Sequence, residues 1–307
     1  MKSVTLLSAA AVAATVQASP ALNARANMES ITTSGNAFFK GGSRFYVRGI
    51  DYQPGGAAAD VDPLADTKVC KPDIEKFKKL GINAIRVYSV DNSLNHDDCM
   101  NALADAGIYV MIDANNPKYS INRKDPHPSY NAVYLQSVFA TIDAFAKYPN
   151  TMAFFSGNEV IHDEKETTLA AKYVKATDRD MRAYIKARGY RKILVGYSAA
   201  DVTDNRLQTA NFFNCGTEEE RSDFFAFVCP LFFTCVFPVR AVIKTLDANR
   251  YGDRTITPGA LLTLSPPAGT RRLRTSPAMA SPSSSPSTGA SPTRATSARL
   301  SPSCTRT

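Results

Sequence analysis

The chain has 307 residues, 36 Lys and Arg against 28 Asp and Glu, and a net charge of +8, a length that suits one large domain or two ordinary ones. The excess charge has one address: 26 basic and 26 acidic residues precede Val228, whereas ten basic residues and two acidic ones, Asp247 and Asp253, follow it. The body is therefore neutral, so the basic balance says nothing about its partner, and no nucleic acid is expected.

Met1-Lys2-Ser3 is a short basic start, residues 4–16 are apolar or small, and Val16-Gln17-Ala18 fits a small-residue cleavage site. This pattern predicts a secretory signal peptide over residues 1–18, too short for a membrane span. No Asn-x-Ser/Thr sequon occurs. In an oxidising compartment Cys70 and Cys99 are candidates for a disulfide, with two buried thiols as the alternative, and the odd Cys215 suggests a partner that lies in the tail or is missing.

Residues 44–51 alternate and predict a strand. Pro54-Gly55-Gly56 makes a loop, and Pro72 marks the start of a helix over 72–80, with Ile74, Phe77 and Leu80 at helical spacing. Then follow a strand over 82–88, a helix over 96–106, a strand over 108–113 and a helix over 129–148. An apolar strand begins at Thr151 and ends in Asn158 and Glu159. A helix over 167–188, a strand over 192–198, a short helix over 205–213 and a strand over 223–227 complete the series. Strand and helix alternate with short connections, which implies parallel βαβ units and an α/β fold. Five clean units and the start of a sixth are visible, where a barrel has eight.

At Val228 the character changes. Residues 228–242 are apolar without a clear period, and residues 254–307 contain no acid and no aromatic but much Ser, Thr, Pro, Ala and Arg. Such a segment buries too little apolar surface to offset its ordering entropy, so disorder is expected. It reads as a stalk, as a basic tail, or as sequence outside the proper reading frame. The expected organisation is a signal peptide over 1–18, a partial catalytic domain over 19–227 and a tail over 228–307.

Polar residues collect at the expected strand ends: Asp51 and Tyr52, Tyr88, Asp113 with Asn115 and Asn116, Asn158 with Glu159, and Tyr197 with Asp201. At the C-terminal ends of parallel strands such groups form sites. Tyr, Asn, Asp and Glu together are the mix that recognises sugars, aromatic faces for the rings and amides and carboxylates for the hydroxyls. The long polar loop after Asp113 lies on the same face, where loops carry function. Nothing competes. There is no phosphate-binding glycine loop and no Gly-x-Ser-x-Gly elbow. His96, His127 and His162 are isolated and expected to be exposed, so neither metal nor cofactor is expected.

Four segments, Tyr119-Ser-Ile-Asn-Arg-Lys-Asp-Pro126, Phe154-Phe-Ser-Gly-Asn-Glu-Val160, Val195-Gly-Tyr-Ser-Ala-Ala-Asp201 and Asn214-Cys-Gly216, together resemble glycoside hydrolase family 72. These are fungal cell-wall β-1,3-glucanosyltransferases, usually GPI-anchored, and the likeness runs over residues 26–227. It implies a (β/α)8 TIM-barrel type fold, incomplete here at about five to six βα units and followed by the disordered tail. It also implies retaining transfer between β-1,3-glucan donor and acceptor chains, no cofactor, and a secreted protein that meets the membrane through its GPI anchor alone. Carried over by residue, Glu159 is the acid/base and Asn158 binds sugar beside it. Tyr88, Asp113, Ser120, Asn122, Arg123, Asp125, Tyr197, Asp201 and Arg206 are the other expected glucan contacts. Cys70 and Cys99 match a family disulfide.

The departure is as specific. The family's second glutamate, the nucleophile, is expected on a later strand in a Ser-Glu-Tyr-Gly context, and no Glu follows Glu220. Divergence at Val228 fits a retained intron and frameshift. The chain as written is expected to be inactive, with a non-catalytic secreted β-glucan-binding protein as the alternative reading.

Overall fold

The computed structural model describes residues 28–56, 59–200, 202, 204–229, 233–238 and 260–261. The expected signal peptide, Asp201 and most of the expected tail lie outside the described residues. Three short strands come first: β1 (Ile31–Ser34), β2 (Ala37–Lys40) and β3 (Ser43–Phe45), an antiparallel meander. The chain then enters a second sheet at β4 (Gly49–Asp51). Residues 44–51, expected as one strand, are thus two strands in two sheets. The side-chain amide of Asn83 makes the bend, accepting from Arg48 N at 2.8 Å and donating to Tyr46 O at 2.8 Å.

From β4 the chain keeps the expected rhythm. Helices α1 (Thr67–Lys79), α2 (Asp97–Asp105), the short α3 (Pro126–Ser129) with α4 (Ala132–Ala146), α5 (Ala171–Ala187) and α6 (Arg206–Asn214) alternate with β5 (Ala84–Val87), β6 (Tyr109–Asp113), β7 (Thr151–Asn158), β8 (Leu194–Ala199) and β9 (Phe224–Cys229). Strands β4 to β9 pair parallel in chain order. Helix α1 starts five residues before Pro72, because the Asp66 side chain caps it, accepting from Lys68 N at 2.8 Å. Cys70 on α1 and Cys99 on α2 form a disulfide, with Cα atoms 6.0 Å apart.

Beyond Phe227 the ring does not continue by βα units. Strand β10 (Phe233–Pro238) returns antiparallel to β9, and β11 (Ala260–Leu261) joins β10 to β4, closing the barrel. Strand β9 runs on through Val228 to Cys229, and β10 and β11 fall within residues 228–307. The aromatic and β-branched residues of β10 suit pairing with the otherwise open edge of β9.

Because side chains alternate across a strand, the sheet separates two cores. Ile85, Val87, Val110, Ile112, Phe154, Val195, Tyr197 and Phe225 face the helices. Ala84, Tyr109, Met111, Ala153, Phe155, Leu194, Phe224 and Ala226 fill the barrel interior. The first sheet covers the N-terminal mouth, where Phe45 meets the Tyr109 ring edge-on at 5.4 Å and Tyr109 donates to Glu29 O at 2.7 Å. Gly196 is needed between these layers, since a Cβ there would lie 2.3 Å from Phe224 O.

One buried carboxyl on α5 makes stability depend on pH. Asp178 is fully buried and accepts from the Ser222 hydroxyl. Burial pushes its carboxyl above the ordinary range, although the Ser156 and Ser222 hydroxyls and Arg182 oppose the shift. A raised folded-state value means that the stabilising contribution is full below the unfolded value of about 4 and is lost as pH rises through the folded value. Asp178→Asn should therefore raise the neutral-pH unfolding midpoint by about 2–4 °C and flatten the decline between pH 4 and 7. Thermal melts of both proteins across that range check this.

Candidate active site

The interior positions at the C-terminal ends of four strands converge on one side chain. Arg86 on β5 is 1 % exposed. Its Nε and Nη2 donate to both oxygens of Asp113 on β6, at 2.9 and 2.8 Å. Nη2 also donates to Asn158 Oδ1 on β7 at 3.0 Å, and Nη1 to Ser198 Oγ on β8 at 3.0 Å. The guanidinium packs on the rings of Tyr88 and Phe155, 4.2 and 4.0 Å from their centroids. Burial works against its charge, but Asp113, Tyr88 and Asp51 outweigh that and hold Arg86 above its ordinary value. Burial likewise pushes the Asp113 carboxyl up, while Arg86 pulls it down.

Strict alternation from Phe155 would turn Asn158 toward the helices. The β7–β8 register instead shifts between Phe155 and Asn158, so that Asn158 pairs with Ser198 and turns inward to Arg86. The next residue, Glu159, has φ +49°, uncommon for a residue with a side chain. Two bonds hold it there: its N–H donates to Ser198 O at 2.8 Å, and its carbonyl accepts from Arg123 Nη2 at 2.9 Å. Among the described residues no protein hydrogen bond reaches its carboxylate, and the residue is half-buried.

These groups border a polar cleft of about 630 Å³. Tyr88, Asp113, Ser120, Asn122 and Arg123 line it, as do Asn158 and Val160 on either side of Glu159, but not Glu159 itself. The loop after β6 is held by its own side chains. Asn116 Oδ1 accepts from Lys118 N and Tyr119 N, and Asn122 Oδ1 accepts from Lys124 N and Asp125 N. Asn115 lines the cleft with a buried Oδ1 that no donor among the described residues reaches.

Three expected contacts among the described residues do not line the cleft. Tyr197 has the wrong parity: it faces the helices, is fully buried, accepts from Ile161 N at 2.9 Å and stacks on Phe213. It therefore supports the turn after Glu159 from behind, and Ser198 faces inward. Arg206 is buried at the start of α6, Asp125 is exposed ahead of α3, and neither lines the cleft. Asp201 lies outside the described residues. Asp113 lines the cleft, but both its oxygens are engaged by Arg86. His96, expected to be exposed, is 1 % exposed and sits 2.7 Å from Asp62 against the Phe145 ring. No group of His, Cys, Asp and Glu able to hold a metal ion occurs among the described residues. Sequence reasoning missed Arg86 and Ser198. The available signal was a charged residue inside Ala84-Ile-Arg-Val87, a strand of a parallel sheet that must be buried on both faces.

Residues 20–230 match glycoside hydrolase family 72, described as Glucanosyltransferase. The chain belongs to this family. It is 63% identical over 228 residues to 1,3-beta-glucanosyltransferase gel1 of Aspergillus fumigatus, covering 74% of this chain and 50% of that protein. It is 54% identical to 1,3-beta-glucanosyltransferase GAS5 of Saccharomyces cerevisiae, covering 68% and 43%. Among solved structures it resembles Saccharomyces cerevisiae Gas2p in complex with laminaritriose and laminaritetraose, at TM-score 0.61 and 39% identity over 66% of this chain and 46% of that one. The chain thus spans about half the length of these relatives. The family match ends at residue 230.

Proposed function

We propose that the cleft binds β-1,3-glucan and that Glu159 is its proton donor, within a family activity of cleaving and elongating that glucan. The observation that carries this is the pinned Asn158–Glu159 pair at the end of β7, beside a cleft lined by Tyr88, Ser120, Asn122 and Arg123. The similar Gas2p structure is a complex with laminaritriose and laminaritetraose. Glu159 would protonate the departing glycosidic oxygen and then, as base, activate the acceptor hydroxyl.

Retention needs a second carboxylate about 5–5.5 Å from the first. Asp113 is engaged by Arg86, and after Asp223 the sequence holds Asp247 and Asp253 as its acids, both outside the described residues. We therefore read this chain as carrying the acid/base without the nucleophile, so that it binds glucan and does not turn it over. A secretory route with a GPI-anchored full-length form is the setting this reading carries. Among the described residues no helix is long and apolar enough to cross a membrane.

Calorimetric titration tests the substrate class. The chain should bind laminaripentaose at least about tenfold more tightly than cellopentaose, a difference of about 1.4 kcal/mol. Equal affinity, or no binding of either, would remove the β-1,3-glucan assignment.

A further inference from the structure

We propose that Arg86 is a positioning residue that fixes which face of the Asn158 amide meets the ligand, presenting the NH2 group and not the carbonyl. The chemistry of the pair allows one orientation. A guanidinium has five N–H donors and no acceptor, and Arg86 Nη2 lies 3.0 Å from Asn158 Oδ1. Turning the amide over would set donor against donor. With Oδ1 held by Arg86, Nδ2 is left for the cleft that Asn158 lines.

The guanidinium cannot swing to follow a turned amide. Asp113 takes two of its donors, Ser198 Oγ a third, and the Tyr88 and Phe155 rings pack against it at 4.2 and 4.0 Å. The register shift before Asn158 and the bond from Glu159 N to Ser198 O fix the backbone that carries the amide. Position and polarity are therefore both set before a ligand arrives. Asn158 therefore meets the ligand as a donor, through Nδ2. The ligand atom it meets must offer a lone pair, and on the glucan reading above, on which this rests, that atom is a hydroxyl oxygen of a glucose unit. Asp113 then serves the site as the counter-ion of Arg86, not as a sugar contact.

The test compares laminaripentaose affinity and thermal stability for the full chain and three variants. Asn158→Asp keeps an oxygen for Arg86 but offers no donor to the cleft. It should fold, and should bind about tenfold or more weakly, as weakly as Asn158→Ala. Arg86→Lys keeps a cation beside Asp113 but cannot span Asn158 and Ser198 together. Its affinity should fall as in the Asn158 variants while its melt stays cooperative, a separation that a purely structural role would not give. Wild-type affinity in Asn158→Asp would show that the ligand meets the carbonyl and would overturn the proposal. Should the unaltered chain bind no laminaripentaose, the glucan reading fails, and neutron diffraction of the free protein decides the amide by itself. Deuterons on the cleft-facing atom of Asn158 support the assignment; deuterons on the atom facing Arg86 overturn it.

Discussion

Arg86→Met should destabilise the protein by about 3–5 kcal/mol, the cost of leaving a buried partner charge uncompensated. Both side chains of the Arg86–Asp113 pair are 1% exposed, so water cannot replace the lost donors. The deletion would strand the Asp113 carboxylate and remove the donors that Asn158 Oδ1 and Ser198 Oγ receive. Replacing both partners, as in Arg86→Met with Asp113→Leu, removes the stranded charge and should recover most of the loss. Urea unfolding of the wild type, the single variant and the double variant measures this directly. A single variant as stable as the double would mean that Asp113 is not an uncompensated charge, and the electrostatic account of the barrel's centre would be wrong.

Removing the Cys70–Cys99 disulfide has the next largest expected effect. The bridge closes 29 residues of sequence, and the chain-entropy account gives about 3–4 kcal/mol for a loop of that length. It ties α1 to α2, the first two helices of the barrel, and both residues are 1% exposed. Cys70→Ser with Cys99→Ser should lower the unfolding midpoint by about 6–16 °C. Because the sulfurs are shielded, the folded wild type should resist reduction by dithiothreitol until it is partly unfolded. Reduction at native temperature with no change in midpoint would contradict this role.

The βαβ rhythm was legible because strands buried on both faces read as apolar runs and each helix ends at a glycine or a turn. Residues 82–88 and 108–113 hold β5 and β6 almost to the residue. What was not legible was which face each strand residue takes. Tyr197 and Ser198 are neighbours, and strand parity sends the aromatic outward and the small hydroxyl inward. Parity also misplaces Asn158, because the register shift that turns it inward leaves no mark in Ser156-Gly157. Arg86 was visible as a charge in an apolar strand, but its partners lie 27 to 112 residues away, beyond any local pattern. The N-terminal meander escaped for a different reason: its strands of three and four residues are too short to show a period. Before strand β10 the sequence offers a single turn residue, Pro230, in an apolar run without a clear period, too little to announce its return against β9.

The central claim is that this chain holds a glucan cleft with one of the two carboxylates that retaining transfer requires. Mass spectrometry of laminari-oligosaccharides incubated with the full chain tests it most directly. The account predicts an unchanged distribution of chain lengths under conditions where titration shows laminaripentaose bound. Products longer or shorter than the starting oligosaccharide, lost in Glu159→Gln, would show that a second carboxylate is in place and would contradict it.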